Sequence, residues 1–153
     1  MIITKRTNSG NKDFQELVRE LDFELKMRDG EDHLYYAQLN KTDSLKYVIV
    51  VYDQDEPIGC GALREYSEKT MEIKRLFVPL KNRKQGIAST ILKELEVWGK
   101  ELNFKKCILE TGKNQPEAIK LYGKNNFKII PNFGQYKDVP NSVCFEKPFT
   151  ITA

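Results

Sequence analysis

Arg83-Lys84-Gln85-Gly86-Ile87-Ala88-Ser89 is the stretch on which the reading of this chain turns. It closes a polar loop, PLKNRKQG, and opens a run in which Ile87, Ile91, Leu95, Trp98 and Leu102 recur at helical spacing. The spacing predicts a helix over about 86–101. The first amides of a helix have no intrahelical partner and point outward at the positive end of its dipole, so such an opening suits a phosphate. Gly86 has no Cβ to hold a ligand off the backbone, and Ala88 is the next smallest choice. Lys81, Arg83 and Lys84 add positive charge around the opening. Two other phosphate loops are excluded. No GxxxxGK[ST] run exists, and Gly59-Cys60-Gly61 lies inside a strand pattern, where it marks a bulge or a close backbone approach.

Working outward, residues 70–78 (TMEIKRLFV) alternate as a strand, and 106–111 (KCILET) form the next one. Strand, helix and strand make a βαβ unit with parallel strands and a right-handed crossover. Upstream, 45–53 (LKYVIVVYD) is a strongly β-branched strand, DQDEP is a turn, and 57–66 returns as a hairpin. A strand over 2–7 precedes a helix over about 12–28, built on Phe14, Leu17, Val18, Leu21 and Leu25. A short helix carrying Tyr35 and Tyr36 is expected over about 32–39. Downstream, GKNQP opens a helix over about 116–124, ended by Asn126 in a left-handed conformation. Strands at 127–130 and 142–148 flank the long loop PNFGQYKDVPN. The expectation is one α/β domain over residues 1–153, with a mixed sheet.

Composition excludes several classes. The 153 residues are 40% hydrophobic and 31% charged, with a mild, interleaved net charge of +3 that does not point to nucleic acid. No stretch approaches the roughly 18 apolar residues of a membrane span. Nothing resembles a signal peptide, so a cytoplasmic location is expected. Cys60, Cys107 and Cys144 are odd in number and far apart, which fits neither a disulfide framework nor a zinc site. No metal is expected, and the thiols read as buried apolar groups. His33 is the one histidine, and nothing places it beside a nucleophile.

RKQGIA resembles the Q/R-x-x-G-x-G/A signature of the GNAT acetyltransferase superfamily, and QPEAIKLYGKNNF resembles its second motif, N-x-x-A-x-x-x-Y-x-K-x-G-F. Together the motifs cover residues 70–128. The sequence departs at two places: Gln115 replaces the Asn that often contacts the pantetheine arm, with Asn114 just before it, and Asn126 replaces a Gly. The resemblance implies the GNAT acyl-CoA N-acyltransferase fold, a central, twisted, mostly antiparallel sheet flanked by about four helices. It implies acetyl-CoA as cosubstrate, an amine as acceptor, and no nucleic acid or membrane partner. A homodimer stays open.

The resemblance also assigns residues. The strand before the loop would splay from its parallel neighbour, so that backbone groups of Phe77 and Val78 pair with the acyl-pantetheine arm and polarise the thioester. Arg83, Lys84 and the amides of Gln85, Gly86, Ile87, Ala88 and Ser89 would hold the pyrophosphate, with Gln115 and Lys124 completing the CoA contacts. Tyr122 sits at the family's acid position, where a phenol with a pKa near 10 can protonate the departing thiolate. Glu72, six residues before Val78, stands where some members, including histone acetyltransferases, carry a general base. Its plainer reading is an exposed strand residue paired with Lys74 or Arg64. Glu110, Glu65 and a water chain are alternatives. The acceptor is left to the segments Arg28–Tyr36 and Phe133–Val139. The rival readings are a catalytically silent acetyl-CoA-binding module and a nucleic-acid binder.

Overall fold

The computed structural model describes residues 1–29 and 44–149. The helix expected over 32–39, with His33, Tyr35 and Tyr36, lies outside them. In chain order the elements are β1 (Ile2–Thr7), α1 (Lys12–Asp29), β2 (Tyr47–Asp53), β3 (Glu56–Ser67), β4 (Thr70–Phe77), α2 (Ile87–Glu101), β5 (Lys106–Gly112), α3 (Pro116–Lys124), β6 (Lys128–Ile130) and β7 (Ser142–Pro148). Single 3₁₀ turns cover Leu80–Asn82 and Gly134–Tyr136.

The strands form one seven-stranded sheet in the order β1-β2-β3-β4-β5-β7-β6. Every pairing is antiparallel except β4 with β5, as the βαβ pattern demands. β2 is β-branched on both sides because both of its faces are covered. Ile49 and Val51 join the core under α2, while Val48 and Val50 join a second core under α1 with Phe14, Leu17, Val18 and Leu21. Asn11 caps α1 by accepting from the Phe14 amide at 2.9 Å.

Helix α2 lies on the sheet through Ile87, Ile91, Leu92 and Leu95, each worth about 1.5–3 kcal/mol when fully buried. The Gly59-Cys60-Gly61 run is where it lands. A Cβ on Gly61 would come within 2.7 Å of Ile91 Cγ2, so glycine permits the close approach read from the sequence. Cys60, Cys107 and Cys144 are free and buried, and burial pushes the Cys60 and Cys107 thiols up to about 12.

Two irregularities shape the centre of the sheet. The β4–β5 ladder covers only Thr70↔Lys106, Met71↔Cys107 and Glu72↔Ile108, although β4 runs on to Phe77. Opposite β3, Cys60 pairs with Phe77 and Ala62 with Lys74. Two steps on β3 thus face three on β4, which is a β-bulge in β4. Arg75, inside the bulge, has φ +57°, a left-handed value uncommon for a residue with a side chain.

Candidate active site

Where the β4–β5 ladder stops, the strands part and leave a cleft of about 90 Å3. Its walls include Glu72 and Lys74 from β4, Glu110 from β5, Gln115 and Asn114 at the start of α3, Tyr122 from α3, Leu21 and Leu25 from α1, and Tyr136 from the loop before β7. The cleft thus brings Tyr122, Glu72, Glu110 and Gln115 together, and both Asn114 and Gln115 reach it.

Glu72 is 5% exposed and belongs to a buried pair, with Oε2 at 3.5 Å from Lys74 Nζ. The pairing with Lys74 is present, but the residue is buried rather than exposed. Burial raises the Glu72 carboxyl above its ordinary range, and Lys74 and Arg64 act against that rise. Burial lowers the Lys74 ammonium, and Glu72 opposes it. Lys74 also donates to Tyr136 Oη at 3.1 Å. Tyr136 is buried, and Phe133 stacks edge-on against it and against Tyr66, so the late loop is fastened over the cleft. The Glu110 carboxylate accepts from Ser142 Oγ at 2.6 Å, whereas Glu65 is exposed.

Tyr122 is 7% exposed and packs against Phe127 and Phe145. Burial, helped by the nearby Glu110 charge, pushes its phenol well above 10. It is therefore both a core residue and a cleft residue, and it stays protonated at any working pH.

The loop before α2 has the backbone of an anion site. Gly86 caps the helix at φ +79°, Lys84 has φ +65°, and the next amides open outward. A Cβ built on Gly86 meets nothing within 4 Å, so protein packing does not explain the glycine, and its left-handed backbone and the open space beside it do fit a pyrophosphate. The side chains divide differently from the sequence expectation. Lys81 pairs with Glu56, and Arg83 bonds Glu24 at 2.7 Å and the Val78 carbonyl at 2.8 Å. Arg83 therefore ties the loop down. Gln85, Lys84 and Lys124 are exposed, Ser89 accepts from Asn125 Nδ2 at 3.1 Å, and Ile87 is buried under the helix start.

Lys74 and Arg75 were not among the site residues expected, whereas Tyr136 belongs to the late segment, Phe133–Val139, expected to shape the acceptor side. Leu76-Phe77-Val78, three apolar residues in a row, was the sign of the bulge, because it breaks the alternation of an ordinary strand. Among the described residues no group of three His, Cys, Asp or Glu could hold a metal, and no helix is long and apolar enough to cross a membrane.

Known proteins share this architecture. A protein of Klebsiella pneumoniae, titled an acyl-CoA N-acyltransferase, superposes with a TM-score of 0.81 at 25% identity, covering 98% of this chain and 99% of that one. A GNAT-family acetyltransferase of Elizabethkingia anophelis, solved with acetyl-CoA bound, has the same fold with a TM-score of 0.68 at 20% identity, over 96% and 97% of the two chains. In sequence, the uncharacterized N-acetyltransferase YsnE of Bacillus subtilis is 31% identical over 98 residues, and the IAA acetyltransferase of Azospirillum brasilense 35% over 92. These matches take in 63% and 60% of this chain and 65% and 60% of those relatives. The family model for the acetyltransferase (GNAT) family matches residues 12–127, which take in the loop, α3 and the cleft walls from α1, β4 and β5, and the chain belongs to that family.

Proposed function

We propose that residues 1–153 act as one acetyltransferase domain that moves the acetyl group of acetyl-CoA to a primary amine by direct attack, in the cleft where β4 leaves β5. The observation that carries this is the three-pair ladder. A strand that runs five residues past its last pairing has a backbone edge facing a gap, and the acyl-pantetheine arm can pair with that edge. The arm would lie along Phe77 and Val78, with the pyrophosphate on the amides from Gln85 to Ser89. Exposed Lys84 and Lys124 would supply cationic contacts, and Gln115 or Asn114 an amide contact.

Two proton movements then have candidate groups. The acceptor amine, mostly ammonium at neutral pH, must lose a proton before it attacks. Glu72 lies on the α1 side of the cleft with a carboxyl held above its ordinary range by burial, which suits a base working near neutrality. The sulfur leaves as the carbon–sulfur bond breaks and the amide bond forms, and the Tyr122 hydroxyl can give it a proton. The Tyr122 phenolate would be recharged through solvent. We place this activity in the cytoplasm. The test is a panel of amines offered with acetyl-CoA, read by release of free thiol. Turnover with at least one amine supports the reading; CoA binding with no turnover on any of them would make the chain a binding module.

A further inference from the structure

The bulge in β4 is built on a strained residue that is held from outside the strand. Arg75 sits at φ +57°, and its side chain is 6% exposed. Its Nη2 reaches both carboxylate oxygens of Asp22 on α1, at 2.8 and 3.0 Å. Among the described residues its Nε is buried without a hydrogen-bond partner, so the guanidinium is not there to complete a network of its own. Its carbonyl lies 3.4 Å from Cys60 Sγ, across the ladder.

The extra residue changes which way the rest of β4 faces. Lys74 faces the same side as its partner Ala62, toward α1. Plain alternation would turn Phe77 toward α2. Instead Phe77 packs in the α1 core and Val78 in the α2 core. The bulge therefore sets how the backbone at Phe77 and Val78 is presented to the gap. Helix α1 holds the other end of the same stretch through Glu24 and Arg83.

We infer that the Asp22–Arg75 pair is a positioning element: it keeps residue 75 left-handed, so that the Phe77–Val78 backbone is aimed at the thioester. This rests on the proposed placement of the thioester. A left-handed arginine relaxes toward the β region unless something holds it, whereas glycine adopts φ +57° without strain. The prediction is specific to backbone geometry. Arg75→Met keeps a long side chain and loses the pair, and kcat should fall by about 100-fold, the scale of losing the orientation of one backbone donor or of a small misplacement. Arg75→Gly also loses the pair but allows the conformation, and kcat should fall by no more than about threefold, since glycine carries no left-handed penalty. CoA affinity, set by the loop at Gly86, should stay close to that of the parent in both variants.

The measurements are kcat, KM for acetyl-CoA, and CoA binding by calorimetry, with Tyr122→Phe run alongside. Asp22→Ala and the pair Asp22→Ala with Arg75→Gly extend the series, and the double variant should turn over faster than Asp22→Ala alone. Equal losses in Arg75→Met and Arg75→Gly would mean that the guanidinium charge matters rather than the backbone, and would overturn the inference. So would full turnover in Arg75→Met while Tyr122→Phe is slow. Full turnover in both Arg75→Met and Tyr122→Phe would instead show that the thioester lies elsewhere, and the proposed site would fall with the inference.

Discussion

Replacing Gly86 separates a binding role from a packing role, because the two predict different magnitudes. In Gly86→Val the new Cβ, its chain neighbours aside, meets nothing within 4 Å, so the branch point brings no packing clash. The folding cost is then the left-handed backbone at φ +79°, about 1–3 kcal/mol for a residue with a Cβ. In a chain of this length each kcal/mol lowers Tm by roughly 2–4 °C, so the variant should melt about 2–12 °C early and still fold. CoA binding should suffer more. The isopropyl group projects into the space beside the first amides of α2, where a phosphate would sit. Each charge-assisted hydrogen bond lost there is worth about 1.5–3 kcal/mol, or about 10–150-fold in Kd. Calorimetry with CoA and a thermal melt, on the same preparation, give both numbers. A variant that melts early but binds CoA like the parent would refute the assignment of the loop.

Tyr122→Phe keeps the ring packed between Phe127 and Phe145 and removes the proton, so turnover should drop by roughly 10–1000-fold with CoA affinity unchanged; early melting with normal turnover would make Tyr122 a core residue only. Glu72→Gln should slow the reaction at pH 7 and recover part of the loss at high pH, where more of the amine is already neutral. In the parent, the base must be ionised to act and burial raises its pKa, so the rate should rise with pH along a limb lying above 4.5, and that limb should be missing in the variant. Gly123→Ala, on α3 with open space at its Cβ, should raise stability by about 0.5–1 kcal/mol, which a melting curve can check against a Gly86 variant that moves the other way.

The sequence was informative where local signals and global architecture agree. The β-branched run of β2, the helix stripe from Ile87 to Leu102 and the positive φ of Asn126, at +70°, come from rules acting over a few residues. The parallel β4–β5 pairing came from chain order alone. What could not be read was set by contacts distant in sequence. Arg83 looked like a phosphate ligand by its position beside the loop. In the structure its guanidinium pairs with Glu24, 59 residues away, a contact that local spacing could not show. Lys74 was legible only as a possible partner of Glu72; that it is buried and also bonds Tyr136, 62 residues later in the chain, was not. Glu72 shows the same effect in reverse: its role depends on a cleft that exists because the ladder ends beside it.

In the proposed reaction the two halves of the chemistry lie on opposite faces of one sheet. The loop proposed for the pyrophosphate leads into α2, whose buried stripe packs on the Ile49–Val51 face, while Leu21, Leu25, Lys74 and Tyr136 enclose the cleft from the α1 side. A thioester held along β4 and an amine arriving past α1 would have to meet through the sheet. A continuous ladder between β4 and β5 would seal that route with backbone hydrogen bonds. The gap is thus the feature on which the proposed transfer depends, and its cost is visible in the surroundings. A strained arginine is fastened by an aspartate, a charged pair is buried at the point of parting, and an aromatic chain from Tyr66 through Phe133 holds Tyr136 over the opening.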